Sequence, residues 1–191
     1  MKQPTTESTF DEWAVNGRAE GMETSHRPRA IVALQQIPIE PGQRVLDLGS
    51  GNGWATRWLA QAAGPNGKAD GVDLSAKMIA RARTLDVDNG QVSYHQASFS
   101  KLPFEEATFD HAFSMEALYY AEDLSLALRE ISRVLVEGGS LCVCTDFYTE
   151  NPYCLGWPDM MQIPMQLLSQ SEWTGFFERA GFQNIRTHRC L

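Results

Sequence analysis

Short apolar segments alternate with segments of helical periodicity along most of this chain, and that alternation limits the fold more than any other feature. The predicted strands are 44–48, 68–73, 92–95, 109–115, 141–147 and 183–191. Near-continuous apolar strands that are joined by helices form a parallel sheet with both faces covered. The sequence therefore predicts the α/β class, with a doubly wound, mostly parallel sheet, helices on both faces and six strands.

Local signals place the helices between these strands. Pro28 suits the first turn of a helix, Ser75 suits an N-cap, and Ser169 with Glu172 has the spacing of a capping box. The glycine pair at 138–139 is typical of a helix end, and the first dozen residues are expected to form a loose arm. The predicted helices are 29–36, 54–63, 76–85, 124–136 and 170–180.

Length and charge restrict the class of protein. A chain of 191 residues is ordinary for one domain. Its 24 acidic residues outnumber the 16 basic ones, and the net charge of −8 opposes binding to a phosphate backbone. A polar N-terminal segment and the lack of an apolar run of membrane-spanning length complete the prediction of a cytoplasmic protein with neither nucleic-acid nor membrane partners. The four cysteines form no CxxC motif, so no metal site is predicted.

A glycine-rich turn follows the first predicted strand. Ligands of doubly wound sheets bind outside the carboxyl ends of the strands, where the strand order reverses, and the turn Gly49-Ser50-Gly51-Asn52-Gly53 is expected there. Glycines let a backbone approach a ligand closely, and the next helix points its first N–H groups into the same space. The GxGxG spacing differs from the GxGxxG of dinucleotide-binding proteins, which disfavours a nicotinamide oxidoreductase.

Two carboxylates accompany this turn. Asp47 precedes the first glycine by two residues, where its charge would repel a pyrophosphate but suits a ligand with an amino group and a sulfonium. Asp73 ends the second strand, a position from which a carboxylate can accept hydrogen bonds from both ribose hydroxyls. With three glycines upstream, the two acids favour a ligand site over an ordinary solvated strand end.

These motifs carry a family resemblance. The stretch from Val45 to Phe147 resembles the class I S-adenosylmethionine-dependent methyltransferases, in the small-molecule group that includes the ubiquinone and menaquinone enzymes. VLDLGSGNG is similar to the first motif of that family and GVDLS to its second. Segments 102–104, 109–110 and 114–120 are similar to the region through its fourth strand, and 128–135 to the helix before its fifth.

The resemblance implies a Rossmann-like fold, S-adenosyl-L-methionine as the cofactor, and in-line transfer of its methyl group to a small organic molecule. It implies that Asp47, Gly49 and Gly51 contact the methionine part of the cofactor and that Asp73 holds the ribose. The implied cofactor-binding residues are Asp47, Gly49, Ser50, Gly51, Gly53, Asp73, Leu74, Met78, Ser98, Phe99 and Met115.

Within that set, Leu74 and Met78 are expected to flank the adenine, and Met115 to line the site from the fourth strand. Ser98 stands where the family usually has an acid that contacts the adenine amino group. A hydroxyl can still accept a hydrogen bond, so we expect cofactor binding to be retained but weaker than with the acid.

No catalytic base is assigned from the sequence. The candidates are His26, Glu116, Tyr119 and Tyr120, each of which is explained as well by a structural role. His111 lies within an apolar strand and is interpreted as a core residue. The Asn/Asp-Pro-Pro-Tyr/Phe motif of DNA amino-methyltransferases does not follow the fourth strand, which leaves small organic acceptors.

The resemblance also suggests a division of the single domain. Residues 1–43 would form an N-terminal lid and helix, 44–147 the cofactor-binding core, and 148–191 the substrate-side segment with the last helix and strand. Arg18 could pair with the methionine carboxylate, and Trp13 could offer an aromatic face to a cation; an arm that merely packs on the surface is the alternative.

Segment 149–170 is rich in methionine, proline and aromatic residues, which suits either a substrate-pocket wall or a dimer contact. Because the resembling family has seven strands and only six are predicted here, a strand edge would be unpaired. We expect 149–170 or a second subunit in a homodimer to cover it.

Three other functions compete with methyl transfer. A non-catalytic S-adenosylmethionine-binding protein is compatible with Ser98 and with the lack of an evident base. A nicotinamide oxidoreductase is disfavoured by the glycine spacing and by Asp47. An aminopropyl transferase shares the fold, but the sequence has no second acidic cluster placed to bind a polyamine.

Overall fold

The computed structural model of the protein, which describes residues 4–86 and 90–190, contains five parallel strands in one sheet. The strands are β1 (Arg44–Leu48), β2 (Lys68–Asp73), β3 (Val92–Gln96), β4 (Phe109–Met115) and β5 (Leu135–Cys144). Their order in the sheet is β3-β2-β1-β4-β5. The chain thus builds outward from β1 in one direction and then in the other, which confirms the predicted doubly wound α/β class.

The point where the strand order reverses lies between β1 and β4. Leu48 at the end of β1 is paired with Val72 of β2 on one side and with Ser114 of β4 on the other. The connections that follow β1 and β4 leave in opposite directions, so a crevice forms between them at the carboxyl edge of the sheet. The glycine turn enters this crevice directly.

Seven helices lie between and around the strands in the described part of the chain. They are α1 (Thr6–Val15), α2 (Arg18–Leu34), α3 (Trp54–Ala62), α4 (Ala76–Leu85), α5 (Leu124–Val134), α6 (Trp157–Met161) and α7 (Gln170–Arg179). A 3₁₀ turn at Leu118–Tyr120 follows β4.

The alternation of side chains along β1 divides the core into two layers. Leu46 and Leu48 pack against α5 and α7 on one face. Val45 packs on the other face with Leu59 of α3 and Ala30 of α2. Both faces of the sheet are therefore covered by helices, as the apolar strands predicted.

The prediction of a loose N-terminal arm is wrong. Thr5 caps α1, and its side chain and that of Ser8 exchange hydrogen bonds with each other's backbone N–H groups. This is a capping box with Ser in place of the usual Glu or Gln. Pro28 lies inside α2 instead of in its first turn. Tertiary packing of the helix holds it there despite the lost N–H.

The boundaries of the fifth strand also differ from the prediction. Helix α5 ends at Val134, and the strand begins at once with Leu135 instead of at Leu141. The glycine pair at 138–139 lies in an irregularity of the strand, where pairing with β4 changes between Phe109 and His111. A bulge and a helix end both favour glycine, so the sequence could not distinguish them.

The sixth strand is absent from the described residues. Residues 183–190 have no strand structure, and Leu191, the predicted end of that strand, lies outside the described residues. The sheet has five strands because this tail pairs with no neighbour among the described residues. The strand was predicted over a mostly polar terminal segment, and no neighbouring strand pairs with it in the described structure.

Segment 149–170 takes a different position from the expected one. It bonds to itself through the Thr149 N–H and Leu168 carbonyl, and to the 3₁₀ turn through the Gln166 N–H and Tyr119 carbonyl. The segment thus packs behind the turn that follows β4. Across residues 4–86 and 90–190, no helix is long and apolar enough to cross a membrane.

Candidate functional site

The glycine turn has three left-handed residues with different surroundings. Gly49, Gly51 and Gly53 have φ angles of +77°, +52° and +79°. A Cβ at Gly49 would overlap the Ala117 side chain, and one at Gly53 would overlap the ring of Tyr94. A Cβ at Gly51 would meet nothing within 4 Å. Gly49 and Gly53 are therefore required by internal packing, and Gly51 faces open space.

Asp47 is buried at the end of β1, with 2% of its surface exposed. Its Oδ2 accepts a hydrogen bond of 2.6 Å from the Thr56 hydroxyl. Burial and, to a smaller extent, the nearby charge of Asp73 raise the pKa of Asp47 to about 7 against the opposing effect of Thr56. The sequence placed Asp47 in the site but gave no signal for Thr56 as its partner.

Asp73 is also buried, and it joins the end of β2 to the glycine turn. Its two carboxylate oxygens accept hydrogen bonds from the backbone N–H groups of Gly51 (2.9 Å) and Ser75 (2.8 Å). Burial raises the pKa of Asp73 to about 6, the two N–H groups lower it, and the charge of Asp11 raises it. Two buried carboxylates thus lie at this edge of the sheet, and the charge of Asp73 disfavours ionisation of Asp47.

The other predicted residues surround this pair unevenly. Phe99 reaches Gly49, since its ring lies 3.6 Å from where a Gly49 Cβ would be. Leu74 is 37% exposed, whereas Met78 and Met115 are buried. The Ser98 hydroxyl accepts a hydrogen bond from the Ser100 N–H, which is a local contact. The hydroxyl of Ser50 is buried without a hydrogen-bond partner in the described structure.

Helix α1 lies against the same site; the sequence suggested a lid from residues 1–43 but neither this helix nor its contacts. The Asp11 carboxylate accepts a hydrogen bond of 2.6 Å from the Ser75 hydroxyl and another of 3.2 Å from the Lys77 N–H. The neighbouring Phe10 meets the Tyr120 ring edge-on at 5.1 Å between centroids. One turn of α1 therefore contacts the start of α4 on one side of the crevice and the 3₁₀ turn on the other.

Arg18 and Trp13 interact with each other. The Arg18 guanidinium carbon lies 3.9 Å from the centre of the Trp13 ring, a cation–π contact. The Trp13 face, which was expected to meet a cation, is thus occupied by Arg18 of the same chain. The sequence named both residues but not the pairing.

A third acid, Glu116, follows β4 directly and is 9% exposed. Its Oε1 accepts a hydrogen bond from the backbone N–H of Asp146. Burial raises the pKa of Glu116 to about 7, with the Asp146 N–H lowering it and the Asp146 charge raising it. Asp146 pairs with Arg29 at 3.3 Å. Burial lowers the pKa of the neighbouring His26.

His111, in contrast, is a core residue as predicted. Its two ring nitrogens bond to the Ser140 hydroxyl at 2.8 Å and to the Gln43 amide oxygen at 3.0 Å. It lies in the interior of β4, away from the carboxyl edge. No group of three or more potential metal ligands occurs in the residues that the structure describes.

Comparison with known proteins agrees with this geometry. The methyltransferase domain family matches residues 46–143, which is half of the chain. The ubiquinone/menaquinone biosynthesis C-methyltransferase UbiE of Pseudomonas savastanoi is 37% identical over 124 residues, covering 62% of this chain and 47% of that protein. The chain spans between 37% and 66% of the length of the first curated relatives that it matches.

Solved structures show the same similarity. A Haloferax volcanii chain, from a complex between the Trm112 methyltransferase activator and a proposed methyltransferase, superposes with a TM-score of 0.85 and 38% identity. The match covers 90% of this chain and 75% of that one. An S-adenosylmethionine-dependent methyltransferase from Mesorhizobium loti superposes with a TM-score of 0.55 and 34% identity, over 61% of this chain and 52% of that one.

Proposed function

Since this chain belongs to the family of S-adenosylmethionine-dependent methyltransferases, we propose that the crevice beside the glycine turn holds the cofactor and that a small organic molecule accepts the methyl group. S-adenosylmethionine supplies an activated methyl group on a positively charged sulfur. The remaining chemistry is alignment of the acceptor and exclusion of water, which this chain's own residues provide.

The observation that carries the proposal is the pair of buried carboxylates at Asp47 and Asp73. These two buried acids lack a full counter-charge: the charge of Asp73 raises the pKa of Asp47, and Arg57 has the smallest of the effects that lower it. A ligand with an ammonium group and a sulfonium supplies that charge. The open space at Gly51 gives it room to approach the backbone between the two acids.

We assign the parts of the cofactor accordingly. Asp47 and the glycine turn would hold the methionine part, and Asp73 the ribose hydroxyls. Leu74 and Phe99 would flank the adenine. Met78 is fully buried, so it supports this wall from behind.

Two features support a small acceptor. The net charge of −8 repels polyanions such as nucleic acids. Helix α1 also contacts both sides of the crevice through Phe10 and Asp11. A helix in that position would restrict access by a macromolecule more than by a small molecule.

We also propose a protein partner of the Trm112 type. The support is the Haloferax volcanii chain described above, which was solved with the Trm112 activator and matches nine-tenths of this chain. Co-expression with a Trm112 homologue should give one complex on size exclusion. Separate elution of the two proteins at micromolar concentration would contradict it.

The cofactor assignment is tested by Asp73→Ala. Loss of hydrogen bonds to a charged group should weaken S-adenosylmethionine binding by about 2 kcal/mol, or about 30-fold in Kd by calorimetry. Asp159→Ala, an exposed acid of α6, is the matched control and should bind normally. Unchanged affinity in a folded Asp73→Ala protein would contradict the ribose assignment.

A further inference from the structure

Glu116 occupies an unusual place in the fold. It is the first residue after β4, at the carboxyl edge of the sheet, and its φ angle is +51°. A left-handed conformation is costly for a residue with a Cβ, so the surrounding structure must hold it there. The next residue, Ala117, touches the glycine turn at Gly49. Glu116 therefore sits one residue from the proposed cofactor cradle.

One oxygen of this carboxylate is used and the other is not. Oε1 accepts from the Asp146 N–H, whereas Oε2 is buried and has no hydrogen-bond partner among the described residues. The Tyr119 hydroxyl lies close enough to the carboxylate to lower the pKa of Glu116, although Oε2 accepts no hydrogen bond from it. A buried, unpartnered carboxylate oxygen is costly, and a ligand that donates a proton to it would remove that cost.

Aromatic rings surround the same place. The Tyr119 ring lies 4.4 Å from Tyr120 and 4.9 Å from Phe147, centre to centre. Phe10 of α1 meets Tyr120 from the other side. Tyr119 and Phe147 are themselves buried, whereas Tyr120 and Phe10 are half-buried, so these two rings could meet an organic ammonium group beside the carboxylate.

We propose that Glu116 is the catalytic residue that binds and deprotonates the acceptor, and that the acceptor is an amine. The proposal rests on the function proposed above, since it concerns the acceptor of that same methyl transfer.

Burial distinguishes an amine from a phenol or a carbon acid as the acceptor. When a proton moves from an ammonium to a buried carboxylate, both charges disappear, and a site of low polarity favours that change. When a proton moves from a phenol to the same carboxylate, a negative charge only changes place. The buried surroundings of Glu116 therefore assist deprotonation of an amine and do not assist the alternatives.

The step is balanced in atoms and electrons. The N–H bond of the ammonium breaks, its electron pair stays on nitrogen, and an O–H bond forms at Oε2 of Glu116. The nitrogen lone pair then forms the N–C bond to the methyl group, and the pair from the broken C–S bond stays on sulfur. The proton on Glu116 leaves to solvent when the products depart.

Several groups set the ionisation of Glu116. Asp146 raises its pKa and Arg29 of α2 lowers it, while Tyr119 and Tyr120 of the 3₁₀ turn, Cys144 of β5 and Cys154 lie close to it as neutral groups at pH 7. Because the pKa of Glu116 is about 7, its ionised form, which takes the proton, is present above that pH. Binding and methylation of an amine should therefore rise as the pH increases through 7.

The probes are benzylamine and 4-methylphenol, which match in size and differ in the acceptor group. Purified full-length protein with tritiated S-adenosylmethionine should methylate benzylamine and leave 4-methylphenol unchanged. Glu116→Gln should reduce the rate by about 100-fold or more, as removal of a positioned proton acceptor does, and abolish its rise with pH. In calorimetry on protein saturated with S-adenosylhomocysteine, Glu116→Gln should bind benzylamine at least about tenfold more weakly than wild type does.

The control is Glu137→Gln, an exposed glutamate in β5, which should behave as wild type. Unchanged S-adenosylhomocysteine affinity in Glu116→Gln shows that the variant is folded and that the cofactor site is intact. Protein that binds the cofactor but ignores benzylamine, or methylates 4-methylphenol in preference, overturns the amine assignment. Glu116→Gln protein with a wild-type rate and pH profile overturns the assigned role of Glu116. Protein that binds no cofactor contradicts the function proposed above instead.

Discussion

At the scale of single residues, Asp47 links cofactor binding to pH. Its pKa of about 7 means that a proton must leave before a cationic ligand gains the full charge interaction. The sign follows: because the pKa is raised, the ionised form is lost as pH falls through 7, and binding weakens. We expect the S-adenosylmethionine Kd from calorimetry to increase about tenfold from pH 8 to pH 6.

S-adenosylhomocysteine is the matched ligand for this measurement, because it lacks the sulfonium charge. Its affinity should change less over the same range. Asp47→Asn should bind S-adenosylmethionine weakly at both pH values, with the dependence reduced. Equal pH profiles for the two ligands would show that the sulfonium does not interact with the ionised Asp47.

The glycine turn allows a second prediction at this scale. Gly49→Ala puts a Cβ into Ala117 and should lower the free energy of unfolding by about 1–3 kcal/mol. Gly51→Val puts a side chain into open space but at a φ of +52°, so it should cost some stability, leave the domain folded and abolish the thermal shift with S-adenosylhomocysteine. Denaturant unfolding and thermal shift, measured on both variants, separate the two roles. A full thermal shift in Gly51→Val would contradict the assignment of Gly51 to the cofactor site.

At the scale of elements, α1 is attached to the rest of the domain near the cofactor site by few polar contacts. Asp11 makes two hydrogen bonds to the first turn of α4, where a carboxylate is also favoured by the helix dipole. Asp11→Ala should release α1 and accelerate trypsin cleavage after Arg18 several-fold. Cofactor release, followed by stopped flow, should also be faster.

Glu12→Ala is the control for this prediction, since Glu12 is the next residue of α1 and is exposed. It should leave both rates unchanged. Equal cleavage rates in wild type and Asp11→Ala would mean that the aromatic contact of Phe10 holds α1 without the aspartate.

At the scale of the whole molecule, β5 is an edge strand of the sheet. Within the described residues β5 pairs with β4 alone, and segment 149–170 bonds to the 3₁₀ turn instead. Strand edges are usually paired, covered or protected by charged residues, and we expect a homodimer in solution to cover this one. Hydrogen exchange of the outward β5 amides should slow as protein concentration rises.

The amides of β1 are the internal reference, because that strand is paired on both sides and should exchange slowly at every concentration. Sedimentation over the same range should show the mass doubling. A monomer with fast-exchanging β5 amides throughout would contradict the homodimer.

Strand positions and the placement of two acids could be predicted from local sequence patterns. The bounds of β1, β2 and β4 were predicted correctly, because each is a short segment of strand length that is bounded by turn residues or polar residues and alternates with a helical segment. The placement of Asp47 and Asp73 at one edge followed as well, since the carboxyl ends of neighbouring parallel strands meet there.

Features that depend on contacts between distant parts of the chain became visible in the tertiary structure. It made α1 part of the site through Asp11 and Ser75, which are 64 residues apart. It distinguished Gly51, which faces open space, from Gly49, which packs on Ala117. It also left residues 183–190 without strand structure, because a strand exists only when another strand pairs with it. Local pattern carries no information about such partners, and that is why the sixth strand was predicted and not found.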